Sequence, residues 1–270
     1  MKIDGRKIAE DIRQEIYAQV QGLSEQPHLT IIQVGENAVS ESFLAIKKRT
    51  GKQCGIALDI VQFDESLTEE VLMAKIQKAV LEKGEGSVIV QLPLPHHIDT
   101  ERILNMIPKE RDADVLGVDA KKEGNILPPV VGAVDEVLKE AGVALEGKEV
   151  LVIGQGRLVG APLVKWLKGK GITPRIADEH TNDITPLARE ADIIISGAGV
   201  PHLVQPEMLK EGVVLIDAGT ANDNGILKGD IDPRCYEKAS FYTAVPGGIG
   251  PITVAKLFEN VAILASLHIE

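Results

Sequence analysis

The chain reads as an α/β protein: two α/β domains with a cleft between them, the second a Rossmann-like dinucleotide-binding domain. Three observations predict this. Short runs of Val, Ile and Leu alternate with amphipathic stretches along most of the 270 residues, the order that builds parallel sheets with right-handed crossovers. Aromatic residues contribute only 3% and apolar residues 44%, so the core is aliphatic, as in parallel strands buried on both faces. A glycine-rich turn, Gly154-Gln155-Gly156-Arg157-Leu158-Val159-Gly160, lies where one apolar run gives way to an amphipathic stretch.

Taken in order, Ile8, Ile12, Ile16 and Val20 recur at helical spacing within 7–23. Residues 29–34 read as a strand, 40–52 as a helix, 56–61 as a second strand, 69–81 as a helix and 87–92 as a third strand. The stretch 108–125 is polar and irregular. Leu127-Pro128-Pro129 then breaks the chain ahead of a helix over 131–140. The boundary falls there, giving 1–128 plus 249–270 as a catalytic domain and 129–248 as a dinucleotide-binding domain. The second series comprises strand 149–153, helix 158–168 and strands 174–177, 192–196 and 213–217. A stiff loop, 243–251, precedes a last helix, 253–267, which is apolar around much of its circumference and is expected to return to the first domain.

Composition narrows the function. A formal net charge of −11 argues against a nucleic-acid groove, which needs clustered Lys and Arg, and against an anionic membrane surface. No apolar run approaches the roughly 20 residues a spanning helix needs. Residues 1–6 lack the apolar centre of a signal peptide, so a cytoplasmic location is expected. Cys54 and Cys235 stand alone, and His96-His97 has no third ligand at suitable spacing, so no metal site is expected.

The glycine-rich turn points to a dinucleotide. Gly154 and Gly156 allow a tight turn and close approach of backbone to a pyrophosphate, and Gly160 lets the departing helix pack on its strand. That helix's N-terminus offers free N–H groups and a partial positive charge. Arg157, Leu158 and Val159 complete the turn as candidate contacts, although a purely structural βα turn uses the same glycines. Asp178, about twenty positions beyond the turn, suits the ribose hydroxyls and repels a 2′-phosphate, which predicts NAD in preference to NADP. Arg157 and Arg175 are the residues able to pair with that phosphate, and a strand-end turn residue is the alternative reading of Asp178. Two further strand-end loops, with Ser196 and Gly197 in one and Thr220 in the other, complete the cofactor set. Buried-turn glycines without ligand contact account for these loops nearly as well.

Several segments together resemble one family. They are Val34-Gly35 with Ser40 through Lys47, Gln91-Leu92-Pro93-Leu94-Pro95, Asp112-Ala113-Asp114, Gly154 through Pro162, and Val245 through Ala255. Over nearly its full length the chain resembles the bifunctional methylenetetrahydrofolate dehydrogenase/cyclohydrolase family. The resemblance implies a hydride leaving 5,10-methylenetetrahydrofolate for a nicotinamide, then hydrolysis of the methenyl product to 10-formyltetrahydrofolate. It also implies a homodimer.

The resemblance makes Lys47, Gln91 and Asp114 the catalytic candidates. Phe43 and Lys47 are four apart on the predicted helix and share one face. An ammonium beside a ring can orient a flat pterin, and partial burial lowers a lysine toward the range of a hydrolytic acid/base. Spacing alone equally fits a half-buried aromatic with a snorkelling lysine. Phe43 stands where the family usually has Tyr, keeping the stacking face and losing the hydroxyl. Gln91, ending a strand, is expected to hydrogen-bond Lys47. Asp114 matches the carboxylate that accepts two parallel bonds from the pterin edge; the family typically reads Asp-Val-Asp-Gly where this chain has Asp112-Ala113-Asp114-Val115, so Asp112 and Asp119 stay open. Gly250, Pro251 and Thr253 are expected to wall the pterin, with Thr253 as an N-cap the alternative. Two other readings remain: a member retaining one activity, or an NAD-dependent dehydrogenase of another small substrate, which has no use for 91–95 and 245–253.

Overall fold

The computed structural model describes residues 1–35, 38–82, 84, 86–117, 126–223 and 226–267. In chain order the elements begin with β1 (Lys2–Ile3), α1 (Gly5–Val20), β2 (His28–Val34), α2 (Ala38–Cys54) and β3 (Ala57–Phe63). There follow α3 (Glu69–Glu82), β4 (Ser87–Val90), α4 (Thr100–Leu104), α5 (Pro129–Glu140), β5 (Val150–Ile153) and α6 (Gly160–Gly169). The remainder are β6 (Arg175–Ala177), α7 (Thr185–Glu190), β7 (Ile193–Ser196), β8 (Val213–Asp217), β9 (Ala221–Asp223), β10 (Ile226–Lys228), β11 (Ala239–Thr243) and α8 (Ile249–Leu267).

These elements fall into two units. Glu10–Pro129 with Val254–Glu270 forms one, and Met1–Ala9 with Val130–Thr253 the other. The first holds a three-stranded parallel sheet, β3-β2-β4, with His28 opposite Ala57 and Leu29 opposite Ser87. One of its apolar clusters joins Ile32, Val88 and Val90 of the sheet to Leu72, Ile76 and Val80 of α3 and to Ile103 and Leu104 of α4. The second unit holds a six-stranded sheet in the order β1-β11-β8-β7-β5-β6, parallel throughout, and a separate β9–β10 hairpin. Leu151, Ile153, Ile194 and Leu215 fill its core without exposure beyond 2%, which is why these strands read as unbroken apolar runs.

Differences from the sequence reading have local causes. Met1–Ala9 belongs with the second unit, whereas 1–128 was the expected first segment, because two residues, Lys2 and Ile3, extend the six-stranded sheet beside Tyr242 and Thr243. Strand β11 alternates polar and apolar residues too briefly to declare itself. Helix α8 starts at Ile249, four positions ahead of expectation, since Pro251 falls in the first turn, where its missing N–H costs no intrahelical bond. α8 is also the one described helix long and apolar enough to cross a membrane, which departs from the sequence expectation; half of that stretch is buried in protein, as befits a core helix.

Candidate active site

In the unit built on β3-β2-β4, α2 carries Lys47. A Cβ on Gly51, one turn further along, would lie 3.1 Å from Cε1 of fully buried Phe258 and 3.2 Å from the Ile56 carbonyl. Glycine there lets α2 settle directly on α8. Lys47 Nζ donates to Gln91 Oε1 at 2.9 Å. The amide is oriented by its other end, for Gln91 Nε2 donates to the Leu92 carbonyl at 2.9 Å. Its backbone N–H donates to Ile32 O at 2.8 Å, directly beyond the end of β4. The next peptide, Leu92–Pro93, is cis.

Asp114 enters from a loop that runs beside β4. Val88 N–H donates to Arg111 O at 2.7 Å, and Arg111 ties the loop down through Nε to Gly86 O and Nη1 to Val80 O. Asp112 then folds the chain: Oδ1 accepts from the amides of Asp114 and Val115, and Oδ2 from those of Leu116 and Gly117, at 2.9–3.1 Å. Its carboxylate is thereby spent on the backbone, leaving Asp114 as the one facing the lysine. Val115 takes φ +55°, a conformation costly for a β-branched residue, held by that cradle. From α8, buried Asn260 donates through Nδ2 to Ala113 O and Leu127 O, both at 2.8 Å. Asp119 lies outside the described residues.

The electrostatics follow from low solvation and proximity. Burial lifts the Asp114 carboxyl to about 6, opposed by the Lys47 charge and reinforced by that of Asp112. Burial lowers Lys47 from the ordinary ammonium range, and Asp114 works the other way. An amine with reduced proton affinity and an acid with raised affinity thus lie within electrostatic reach of each other, both poorly solvated. Phe43, one helical turn before Lys47, is 42% exposed.

The remaining substrate candidates lie in the other unit, at the start of α8. Gly250 is exposed, and a Cβ there would meet nothing. Pro251 occupies the third helical position. Thr253 is not an N-cap, because it sits one turn inside the helix and its hydroxyl donates to Ile249 O at 3.1 Å.

In that same unit the glycine-rich turn has the form its spacing implied. Gly154 has φ +90°, and a Cβ on it would strike Gly197 O at 2.8 Å; one on Gly160 would sit 1.8 Å from Gly154 O. Both glycines serve close packing. Gly156 differs: its φ is ordinary, it is exposed, and a Cβ would point into open space. Arg157 and Leu158 are exposed beside it, Val159 packs against Gly197, and α6 begins without a side-chain cap. Open space over Gly156 and uncapped amides at the helix start fit a pyrophosphate.

The other cofactor candidates separate. Asp178 follows β6 partly exposed, but its Oδ1 accepts from His180 N and Thr181 Oγ1, so it also builds the turn. Arg175 pairs with Glu149 and Glu190 and is committed to those carboxylates. Ser196 is a correction: it is fully buried and its hydroxyl donates to Asp230 Oδ2 at 2.7 Å, so it has no surface to offer a ligand. Thr220 is exposed at the end of β8.

Comparison with known proteins agrees with this arrangement. Residues 3–114 match the tetrahydrofolate dehydrogenase/cyclohydrolase catalytic domain, and residues 128–269 the NAD(P)-binding domain of the same enzymes. This chain belongs to the tetrahydrofolate dehydrogenase/cyclohydrolase family. Bifunctional protein FolD of Aquifex aeolicus is 35% identical over 269 residues, covering 96% of this chain and 92% of its own. The structure of the bifunctional FolD dehydrogenase/cyclohydrolase from Campylobacter jejuni superposes with a TM-score of 0.93 at 31% identity, covering 99% of both chains. That of the Trypanosoma brucei enzyme, complexed with NADP and an inhibitor, gives 0.92 at 31%, covering 100% of this chain and 98% of its own.

Family membership leaves some of this chain's features to the structure alone. Sequence reasoning missed Asn260 as the clamp on the Asp114 loop, and it missed Asp217 and Asp230 as a buried pair beneath the cofactor loops. A polar residue on the apolar face of α8 was the available signal for Asn260. For Asp230 the signal was Gly229 beside it, a glycine with no turn of its own to explain it.

Proposed function

We propose that this enzyme oxidises 5,10-methylenetetrahydrofolate with NAD(P) and hydrolyses the resulting methenyl compound to 10-formyltetrahydrofolate, in one-carbon metabolism. The observation that carries the reading is the Lys47–Gln91 hydrogen bond of 2.9 Å, with Lys47 poorly solvated and within electrostatic reach of Asp114. A nicotinamide dinucleotide, when bound, would supply the hydride acceptor; Gly156, Arg157 and Leu158 would hold its phosphates on a turn that Gly154, Val159, Gly160 and Gly197 close by packing, with Asp178 and Thr220 beside it. Asp114 accepts two hydrogen bonds from the pterin edge, which places the one-carbon bridge and favours the cation that develops there. Phe43 stacks on the ring system.

Hydrolysis needs a proton moved twice. Water adds to the methenyl carbon and gives up a proton to the neutral amine of Lys47. The lysine returns that proton to the pterin nitrogen as its bond to the former methenyl carbon breaks, and the carbinol oxygen closes to the formyl C=O and releases its remaining proton to solvent. Burial lowers the proton affinity of that amine below that of an exposed lysine and so favours its neutral form, and Gln91 Oε1 holds it in place. Phe43 in place of Tyr keeps the stacking face and removes any hydrogen bond or proton transfer through that hydroxyl. The acidic Asp178-Glu179 pair favours NAD over NADP; a homodimer is what the family resemblance implies, and a cytoplasmic location is what residues 1–6 suggest.

Dehydrogenase and cyclohydrolase rates measured separately, with NAD and with NADP, test this. Lys47→Ala is expected to lose about 10²–10⁴-fold in hydrolysis while hydride transfer survives, and NAD is expected to give the higher kcat/KM. Unchanged hydrolysis in the variant would refute the role of Lys47, and a preference for NADP would refute that of Asp178.

A further inference from the structure

Beneath the cofactor loops lie two carboxylates that the chemistry above does not use. Asp217, at the end of β8, is 1% exposed, and Asp230, in the segment after β10, is 0% exposed. Asp230 Oδ2 accepts from Ser196 Oγ and Ala198 N, both at 2.7 Å, and its Oδ1 from Val200 N at 2.9 Å. Asp217 Oδ1 accepts from the amides of Gly219 and Asp230, and its Oδ2 from that of Ile231. Glycines make room for both: a Cβ on Gly219 would lie 2.1 Å from the Asp230 carboxylate, and one on Gly229 2.1 Å from Asp217 Oδ2.

The loops so tied are the ones at the carboxyl ends of the central strands, where parallel sheets bind ligands. They are also stitched to the glycine-rich turn, since Gly197 N–H donates to Ile153 O and Ala218 N–H to Ser196 O, both at 2.8 Å. Val159 packs on Gly197 in the space a side chain would fill. A shift of Ala198 or Val200 therefore propagates to the turn that receives the pyrophosphate. Burial lifts Asp217 to about 7, helped by the charge of Asp230 and opposed by the amides it accepts. Two like-charged groups this deeply placed are costly, and the six donors converging on them are the visible compensation.

We propose that Asp230 is a positioning residue for the dinucleotide: it acts through the amides of Ala198 and Val200 to hold the cofactor loop in its binding shape. The inference rests on the proposed function only in naming a nicotinamide dinucleotide as the ligand. Asp230→Asn retains size but turns an amino group toward either Val200 N–H or Ala198 N–H, so one amide is opposed whichever way the side chain lies.

The test is a direct titration of the intact enzyme with NAD, without folate, alongside both catalytic rates. For Asp230→Asn we expect the NAD Kd to rise about tenfold and the ratio of dehydrogenase to cyclohydrolase rate to fall about tenfold. Ser196→Ala removes one bond to Asp230 and leaves a smaller defect, about threefold in Kd, and covers the case in which the first variant does not fold. An unchanged Kd in folded Asp230→Asn, or in Ser196→Ala if that alone folds, overturns the proposal. So does a parallel fall of both rates, which marks a merely structural residue. A wild-type chain that binds NAD but never turns over folate would sink the proposed function and leave the titration readable.

Discussion

Asp112 and Asp114 are two positions apart and have different fates, decided by what surrounds each carboxylate. Four backbone amides use up Asp112; the lysine ammonium is the favourable charge acting on Asp114. Nothing in the string Asp-Ala-Asp distinguishes them, because the distinction arises from the reversal of the chain at 115–117. Lys47 and Gln91 became candidates through the family resemblance, with which their places on a helix and at a strand end agree, while the strain at Val115 had no sequence signal. With its folded value near 6 against an ordinary 3.8, Asp114 binds its proton more tightly in the folded state. Its stabilising contribution is complete below about 4 and is lost as pH rises through 6. Asp114→Asn should therefore gain stability relative to wild type between pH 4.5 and 7.5 in paired urea titrations. The same carboxyl must be ionised to hold the pterin, so substrate affinity should decline as pH falls through about 6. Asp112→Asn leaves one oxygen for four amides and should lower stability by about 2–4 kcal/mol, read as a lower urea midpoint, together with a raised folate KM.

At the level of elements, glycines that look alike in the motif have separable duties. Gly160→Ala would force a methyl into Gly154 O and separate α6 from its strand, costing about 3 kcal/mol or more. Gly156→Ala meets nothing in the protein, so its stability should stay within about 0.5 kcal/mol of wild type while cofactor affinity falls. Thermal melts and NAD titrations on the pair should dissociate the two effects. If Gly156→Ala bound NAD normally, the open space above that residue would not be where the pyrophosphate lies. The long elements were readable because their apolar periodicity is strong, as in β2 and α3. Short ones such as β1, α4 and β11 owe their form to neighbours, and a run of two to five residues carries too little pattern to show it. The entry to α8 was misread because Pro-Gly-Gly-x-Gly-Pro suggests a loop, yet the second proline lies where a helix accepts one.

For the molecule as a whole, the two-unit division was visible at Pro128-Pro129, but its reach into the first nine residues was not. Dinucleotide contacts are assigned to the unit comprising Met1–Ala9 and Val130–Thr253. Ligand at a hundred times its Kd adds about 2.7 kcal/mol to whatever it binds. NAD should accordingly raise the melting transition of that unit, and do so more than an equal concentration of NADP; the reverse order, seen by calorimetry, would overturn the cofactor assignment. The pairing of Lys2 with Tyr242 and Ile3 with Thr243 has a further consequence during synthesis. A nascent chain leaves the ribosome at roughly 5–20 residues per second, so the opening strand waits ten seconds or more for its neighbour to emerge. Until then the edge of that sheet does not exist, and Lys2 and Ile3, made well before their partners, are among the last to find their place.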